Sequence, residues 1–409
     1  MKSNPPRLEP KADKDTVRRH NLSLVLRAVH DDGEATRAGV AARVGLTRAA
    51  VSSLVEQLLD SGFLTESGKT FSGQAGRPGT VLKVARTGVA GLGVEINIDY
   101  VSVCVVDLSG TDRVRLTEHL DNRAAAAQPA EVLARAAGIA SRALLSAEEH
   151  ELRPVGVQLA LPGLVSGGTV RQAPNLGWTR VAAEGVFAQA LTAARPGRRP
   201  LPVSADNEAN LAALAELWFG GAGRERTFLY LSGEIGVGGA LVLNGELLRG
   251  AHGFAGEIGH VVVDPQGPEC HCGSRGCLEQ YAGQRALLRA AGIDENAGLP
   301  GVAELERRAR ADDERAVAAI RDAGAMLGLV LSGAVNLFDP DAVVLGGIYR
   351  TLMRWLSPTA GREMDRRVVS GLWPESGGRL RASSLTGDAA RGAAALVVRE
   401  VLADPVAYV

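Results

Sequence analysis

The chain has 409 residues, 46% of them hydrophobic, and its formal net charge is −1. This length exceeds that of one ordinary domain, so two or three units with real hydrophobic cores are expected. We find no apolar stretch of about 18 residues and no charged-then-apolar leader, which argues against a membrane or secreted protein and predicts a cytoplasmic one.

The charge is distributed unevenly along the chain. Residues 1–86 hold 14 Lys and Arg against 9 Asp and Glu, which leaves a net charge of −6 for the rest. A basic segment at one end of an acidic chain indicates nucleic-acid contact confined to that end, although a solvated surface would give the same balance. Residues 1–14 are polar and contain prolines, and we expect a disordered tail there.

Residues 15–86 carry the pattern of a winged helix-turn-helix. Apolar spacing predicts a first helix from Asp15 to the polar run 31–34, a second helix over 36–44, and a third that reaches Leu59. A tight turn precedes the third helix, and Thr47 is a good N-cap for it. This layout is that of the helix-turn-helix.

The third helix has an apolar face and a face of small and polar residues. Helical spacing predicts that the module's core contains Val51, Leu54, Val55 and Leu58. The predicted DNA-binding residues, at the outward N-terminal end, are Thr47, Arg48, Ala49, Ser52 and Ser53. Small side chains permit close approach to base edges in the major groove, and Arg48 could contact guanine or phosphate. The alternative is a structural or dimerisation module.

The segment after the third helix resembles the two-stranded wing of a winged helix. Strands are predicted at 63–65 and 81–84, joined by a loop that contains Gln74–Pro78. A Gly-Arg-Pro segment lies extended and can place Arg77 in a narrow minor groove. A plain linker turn is the alternative.

From Val89 onward, strand-like runs alternate with helical segments. The predicted strands cover 92–98, 101–106, 155–161, 227–231, 239–243 and 342–345. The predicted helices cover 130–145, 313–336 and 388–403. This alternation is typical of an α/β fold, and two glycine-bearing strand-turn elements near 93 and 236 suggest duplicated halves around a cleft.

The stretch 257–280 combines metal-ligand residues with flanking carboxylates. His260, Cys270, Cys272 and Cys277 offer one imidazole and three thiolates within 18 residues, the ligand set of a closed structural zinc site. His271 could replace His260, but its place between two cysteine ligands should turn its side chain away. Redox sensing by these thiols is a further alternative.

Five motifs together resemble one known family. They are Leu161-Pro162-Gly163, the run 173–178, Asp206-Asn207-Glu208-Ala209-Asn210, Gly256-Glu257-Ile258-Gly259-His260, and the Cys-x-Cys-Gly-x-x-Gly-Cys-Leu-Glu run. With the winged helix, they resemble the ROK family of repressors and sugar kinases, most closely the branch that includes xylose repressors. The resemblance covers about residues 15–405 and implies a two-lobed, actin-like ATPase body over 87–409, with a zinc loop at 260–277.

The resemblance also implies a sugar pocket. The family's sugar-binding positions fall on Asn207, Glu257, His260 and Glu279, and Asn175 is a further candidate contact. The family's catalytic base position falls on Glu208, where an extra methylene relative to Asp moves the carboxylate by about 1 Å. We expect Glu208 to be inactive as a base and to be a sixth sugar-binding residue. His260 could use one ring nitrogen for zinc and the other for sugar. Alternatively, Glu257 and Glu279 merely hold the zinc loop.

The phosphate-binding turns of the family are altered in this chain. The first turn corresponds to 95–99, where both glycines are lost and Asp99 replaces a hydroxyl residue. The second turn, 232–238, has Ile235 in place of a phosphate-contacting threonine. A backbone cradle for ATP phosphates is therefore not expected, which predicts a sugar sensor and not an enzyme.

The expected partners are double-stranded operator DNA and a small sugar, with no membrane. A homodimer or a dimer of dimers would read a pseudo-palindromic operator, and sugar between the lobes would change operator affinity. The sequence leaves two other functions open: a sugar kinase that also binds DNA, and a zinc- or redox-responsive regulator.

Overall fold

The computed structural model describes residues 13–70, 79–120, 122, 128–220, 225–373, 378–386 and 388–408. The N-terminal module consists of α1 (Lys14–Asp32), β1 (Ala35–Thr36), α2 (Arg37–Val44), α3 (Arg48–Asp60), β2 (Leu64–Thr70) and β3 (Gly79–Val84). The three predicted helices and both wing strands are confirmed. The sequence missed β1, which pairs with β3 to make the wing sheet three-stranded.

Side-chain caps begin the short helices. Thr36 accepts a hydrogen bond from Gly39 N–H at the start of α2, and Thr47 accepts one from Ala50 N–H at the start of α3. Asp13 likewise caps α1, so the helix reaches back to Lys14. The predicted tail of residues 1–14 is therefore wrong at residues 13 and 14, and its other residues lie outside the described ranges.

The first half of the body is built on a five-stranded mixed sheet with the order β11-β7-β4-β5-β6. A small three-stranded sheet, β10-β9-β8, follows β7. The elements in chain order are β4 (Gly88–Ile96), β5 (Tyr100–Asp107), β6 (Asp112–His119), α4 (Pro129–Glu149), β7 (Leu152–Leu161), β8 (Leu164–Ser166), β9 (Thr169–Ala173), β10 (Trp178–Val181), α5 (Ala183–Ala194), β11 (Val203–Asn207) and α6 (Glu208–Phe219).

The second half repeats this design with the strand order β14-β13-β12-β15-β16. Its elements are β12 (Phe228–Gly233), β13 (Val237–Leu243), β14 (Glu246–Leu247), α7 (Glu279–Ala282), α8 (Gln284–Ala290), α9 (Gly298–Arg310), α10 (Glu314–Phe338), β15 (Ala342–Gly347), α11 (Ile348–Arg367), β16 (Leu380–Ala382) and α12 (Asp388–Ala403). In both halves an antiparallel hairpin pairs with a parallel strand, as the predicted duplication requires.

Helix α10 corrects one statement from the sequence. It contains an 18-residue window apolar enough to cross a membrane by length and composition, although no such stretch was expected. More than half of that window is buried inside the protein, and α10 packs along α11. Its apolar residues therefore belong to the core of the second half.

The N-terminal module and the body share one hydrophobic cluster. Leu22, Val25 and Val29 of α1 lie in the same cluster as Val398 and Leu402 of α12. Ser23 Oγ donates to the Leu402 carbonyl at 2.9 Å, and Arg19 forms an exposed ion pair with Asp404. The module therefore packs directly against the C-terminal helix of the body.

Candidate functional site

His260, Cys270, Cys272 and Cys277 form a compact cluster. Their ligand atoms all lie within 4.8 Å of one another, with 3.7 Å between His260 Nδ1 and Cys270 Sγ and 3.7 Å between the Sγ atoms of Cys272 and Cys277. Tetrahedral zinc with Zn–S bonds of about 2.3 Å places sulfurs about 3.8 Å apart. The cluster therefore fits a four-coordinate metal ion. The exposed His271 is not a member of it.

The loop folds around this cluster through backbone contacts. Cys270 N–H donates to the Ser274 carbonyl at 2.8 Å, and Gly273 N–H donates to the Cys270 carbonyl at 2.9 Å. Gly276 adopts φ +64°, and a Cβ there would lie 1.6 Å from the Asp264 carbonyl oxygen. Burial first, and the neighbouring thiols second, raise the pKa of Cys277 to about 12. A bound cation would be needed to hold these sulfurs as thiolates.

His260 connects the metal-ligand cluster to the cleft. Its Nδ1 faces Cys270, and its Nε2 lies 3.9 Å from Glu257 Oε2. One ring nitrogen is thus available to a metal while the other faces a carboxylate. Burial raises the pKa of Glu257, the nearby imidazole opposes that shift, and Glu279 adds to it.

All six predicted sugar-binding residues line one cleft between the two halves. They are Asn175, Asn207, Glu208, Glu257, His260 and Glu279. Asn175 comes from the short helix after β9, the pair 207–208 from the junction of β11 and α6, and Glu279 from the start of α7. Residues separated by about 100 positions therefore meet in one place. Their contact with sugar stays a prediction.

Asn207 also has a structural role in this cleft. Its Oδ1 accepts hydrogen bonds from Ala209 N–H at 2.8 Å and Asn210 N–H at 3.2 Å, which caps α6. Its Nδ2 donates to the Gly163 carbonyl at 2.9 Å. The side chain is thereby fixed, and one amide hydrogen is left for a ligand.

Glu208 is the first residue of α6 and is partly buried in the cleft. Its Oε2 is inaccessible to solvent and has no hydrogen-bond partner among the described residues. Burial, followed by the nearby carboxylates Glu95, Glu257 and Glu279, raises the pKa of Glu208 to about 8. At neutral pH this carboxyl group is therefore mostly protonated, and it can donate a hydrogen bond to a ligand.

The turn that would cradle phosphate between β4 and β5 uses its own backbone groups. Asn97 N–H donates to the Tyr100 carbonyl at 2.9 Å, and Ile98 N–H donates to Asn97 Oδ1 at 2.7 Å. The Tyr100 hydroxyl donates to Glu95 Oε1 at 2.5 Å, beside the cavity behind Glu208. The sequence indicated the lost glycines but not this Tyr100–Glu95 pair.

The second turn, between β12 and β13, is also occupied. Val237 N–H donates to Glu279 Oε2 at 3.2 Å, and Glu234 N–H donates to the Gly236 carbonyl at 2.9 Å. The Glu95 and Glu234 carboxyl groups line the same cavity as Glu208. Carboxyl groups and satisfied amides oppose the binding of a polyphosphate there.

The predicted DNA-binding residues lie at the start of α3. Thr47, Arg48, Ala49 and Ser53 are exposed and Ser52 is half-buried, whereas the predicted core residues of the helix are buried. Arg48 makes no ion pair or hydrogen bond within the described part of the chain. Arg77 falls outside the described residues, and its groove contact stays a prediction.

Helix α12 lies between the cleft helix α6 and the N-terminal module. Its residue Ala389 lines the same cavity as Glu208, and its far end packs against α1. Gly392 allows α12 to approach α6 very closely, because a Cβ there would lie 1.9 Å from the Leu211 carbonyl oxygen. This contact could not be predicted from the sequence, since periodicity does not say which helices meet.

Comparison with known proteins gives consistent relationships. The model of the ROK family matches residues 91–400. The xylose repressor of Bacillus spizizenii is 28% identical over 404 residues, which cover 96% of this chain and 98% of the relative. The crystal structure of a ROK family transcriptional regulator, a homologue of the E. coli MLC protein, has a TM-score of 0.75 at 25% identity and covers 95% of this chain and 97% of its own.

A kinase structure is also similar to the body. A ROK family glucokinase from Streptomyces griseus, in complex with glucose and AMPPNP, has a TM-score of 0.61 at 27% identity and covers 75% of this chain and 98% of its own. The two-lobed body is thus shared with a sugar kinase, and the regulator match extends over nearly the whole chain. This chain belongs to the ROK family.

Proposed function

We propose that this protein is a sugar-responsive transcriptional repressor of carbohydrate uptake or catabolism genes, without kinase activity. One observation carries the proposal: the cleft keeps its sugar-type residues while both phosphate turns are filled by the protein's own groups. The repressor name of a relative that is matched over nearly its full length, and the helix-turn-helix in the same chain, support it.

The cleft offers both donors and acceptors to sugar hydroxyl groups. Glu257 and Glu279 are acceptors when ionised, His260 presents Nε2, and Glu208 is a donor when protonated. Mixed donors and acceptors at fixed positions discriminate between epimers, because a wrong hydroxyl leaves a buried polar group without its partner.

A structural zinc ion would be held by His260, Cys270, Cys272 and Cys277. When bound, it supplies no chemistry beyond fixing the loop and the orientation of the His260 ring. That orientation keeps Nε2 toward Glu257, so the metal site and the sugar site depend on each other.

Helix α12 is the proposed connection between sugar and DNA. Sugar contacts at the start of α6 act on α12 through the close contact at Gly392, and α12 acts on α1 through their shared cluster. Tight packing of this kind transmits small shifts because it deforms little. A sugar that binds one of two arrangements of these helices more tightly than the other would change the free energy of operator binding, typically by about 1 to 3 kcal/mol.

The proposed assembly is a cytoplasmic homodimer, or a dimer of dimers, on operator DNA. Residues 15–86 act as the winged helix-turn-helix and 87–409 as the sensor body. Thr47, Arg48, Ala49, Ser52 and Ser53 enter the major groove, with Arg77 in the adjacent minor groove. A two-fold dimer requires pseudo-palindromic half-sites about one helical turn apart.

A thermal-shift screen of the full-length protein tests the proposal. Aldoses, amino sugars and short oligosaccharides are added singly, with and without ATP-Mg, and ADP release is followed in parallel. We expect stabilisation by one sugar that ATP does not alter, and no ADP above the sugar-free level. Sugar-dependent ADP release would show a kinase. Release of DNA by a chelator or an oxidant, without sugar, would show a zinc- or redox-responsive regulator.

A further inference from the structure

A second, larger cavity adjoins the sugar cleft. This outer cavity has a volume of about 860 Å³. The same four segments line both spaces: the stretch after β7, strand β9, the end of β11 and the loop that leads to Glu257. The outer cavity shares no lining residue with the cavity behind Glu208. The outer cavity and the sugar cleft have no lining residue in common either, but their lining residues are close neighbours along all four segments, so a group attached to a ligand in the cleft could reach the outer cavity.

Basic side chains line the outer cavity. They are Arg171, Arg249 and His252. Within the described residues, Arg171 and His252 make no hydrogen bond or ion pair, and Arg249 Nη1 contacts Asp206 Oδ2 at 2.7 Å. Arg171 and His252 are therefore available to a ligand, and Arg249 is held at the cavity by Asp206.

The carboxylates near this cavity are already engaged. Asp206 is buried, and its Oδ1 accepts from Asn207 N–H at 2.7 Å and Asn210 Nδ2 at 3.0 Å. Glu184 lies behind the wall, where its Oε1 accepts from Ala205 N–H at 2.8 Å. One lining carboxylate against two guanidinium groups leaves the outer cavity with a net positive charge.

We propose that the outer cavity binds an acidic group, carboxylate or phosphate, on the effector sugar. The effector is then an acidic sugar whose ring lies in the cleft and whose charge lies against Arg171 and Arg249. Guanidinium groups bind carboxylate and phosphate through paired, charge-assisted hydrogen bonds. This inference rests on the proposed sugar-sensing function and specifies the class of sugar.

Calorimetric titration of the full-length protein with matched ligands tests the inference. For each aldose that binds, its uronate, its 1-phosphate and the phosphate ester of its terminal hydroxyl are compared with the neutral parent and with inorganic phosphate. We expect one acidic derivative to bind about tenfold tighter than its parent, which corresponds to about 1.4 kcal/mol. The uronate and phosphate titrations distinguish the two sources of charge.

Other outcomes overturn the inference. The outer cavity has no specific acid site if no acidic derivative binds more tightly than its neutral parent. The same conclusion follows if all acidic derivatives gain the same affinity over the parent and inorganic phosphate binds to the same extent. If neutral sugars still bind and change DNA affinity, only the acid site fails. If no sugar of either kind binds, the proposed sensing function fails as well.

Arg171→Gln separates a direct contact from a structural effect. Arg171 has no hydrogen bond or ion pair within the described residues, so its replacement breaks no such interaction among them. We expect the ratio of acidic to neutral affinity to fall by about fivefold or more. Arg180→Gln, on the neighbouring strand β10 but outside the cavity, is the matched control and should keep the ratio within about twofold. An equal loss for both ligands in Arg171→Gln would refute the contact.

Discussion

Glu208→Gln provides a quantitative test of the cleft's electrostatics. The structure raises the pKa of Glu208 from its usual 4.5 to about 8, mainly through burial and secondarily through neighbouring carboxylates. The folded state therefore holds a proton that the unfolded state releases above about pH 4.5. The group's contribution to stability is full below pH 4.5 and is lost as pH rises toward 8.

The magnitude follows from the shift. Moving a pKa from 4.5 to about 8 corresponds to roughly 5 kcal/mol at most. Water that enters the cleft screens these charges, so we expect roughly 1 to 3 kcal/mol. Glutamine keeps the shape and cannot ionise, which removes the loss at high pH.

Urea denaturation of both proteins between pH 5 and pH 9 measures this difference. The free energy of unfolding of Glu208→Gln should be close to that of the parent near pH 5, exceed it increasingly as the pH rises toward 8, and keep a constant excess above that. Sugar affinity of the parent should fall as pH rises past 8, and that of the variant should not. A constant difference in unfolding free energy across this pH range would refute the predicted protonation.

Three further substitutions test the sugar pocket, the DNA-binding helix and the metal-ligand cluster. Glu257→Gln should weaken sugar binding about tenfold while DNA affinity without sugar stays near normal, because the carboxylate accepts from sugar hydroxyls; unchanged affinity in calorimetry would remove Glu257 from the pocket. Arg48→Ala should cost about 1 to 3 kcal/mol of operator affinity and leave sugar binding intact. DNA-binding anisotropy at moderate salt, with Arg180→Ala as a surface control, checks this, and an equal affinity would exclude the groove contact. Cys272→Ser should release the metal and disorder the His260 side of the cleft, whereas full zinc retention on elemental analysis would refute the ligand set.

Local patterns in the sequence predicted much of the fold. The buried face of α3, with Val51, Leu54, Val55 and Leu58, follows from helical spacing alone. The metal-ligand cluster was predictable because its four residues lie within 18 positions, so one loop can gather them. The family motifs predicted that these residues share one pocket, and in the structure they line one cleft.

Contacts between distant segments could not be predicted in this way. The Tyr100–Glu95 pair depends on how two strands turn, and the contact of Gly392 with α6 depends on helix packing. The capping role of Asn207 was also missed, although an Asn before a helical run is a common N-cap. The sequence shows which face of an element is buried, and it does not show which partner covers that face.

The structure supplies a physical argument for the proposed loss of phosphate binding. The loss of the glycines alone would weaken the phosphate cradle without abolishing it, because other backbone N–H groups could still face a phosphate. Here Asn97 and Val237 already donate their N–H groups to acceptors within the protein. A polyphosphate would have to break these hydrogen bonds beside several carboxyl groups. Its binding would therefore cost more free energy than binding to a cradle whose N–H groups have no acceptor.

Sugar-dependent DNA binding by the full-length protein is the decisive test of the proposed repressor function. Operator DNA is first selected in vitro with the protein, and its affinity is then measured by fluorescence anisotropy with and without a saturating sugar from the thermal-shift screen. We expect the sugar to change operator affinity by about 5- to 150-fold, and ATP-Mg not to alter that change. An operator affinity that stays constant while the sugar demonstrably occupies the protein would contradict it.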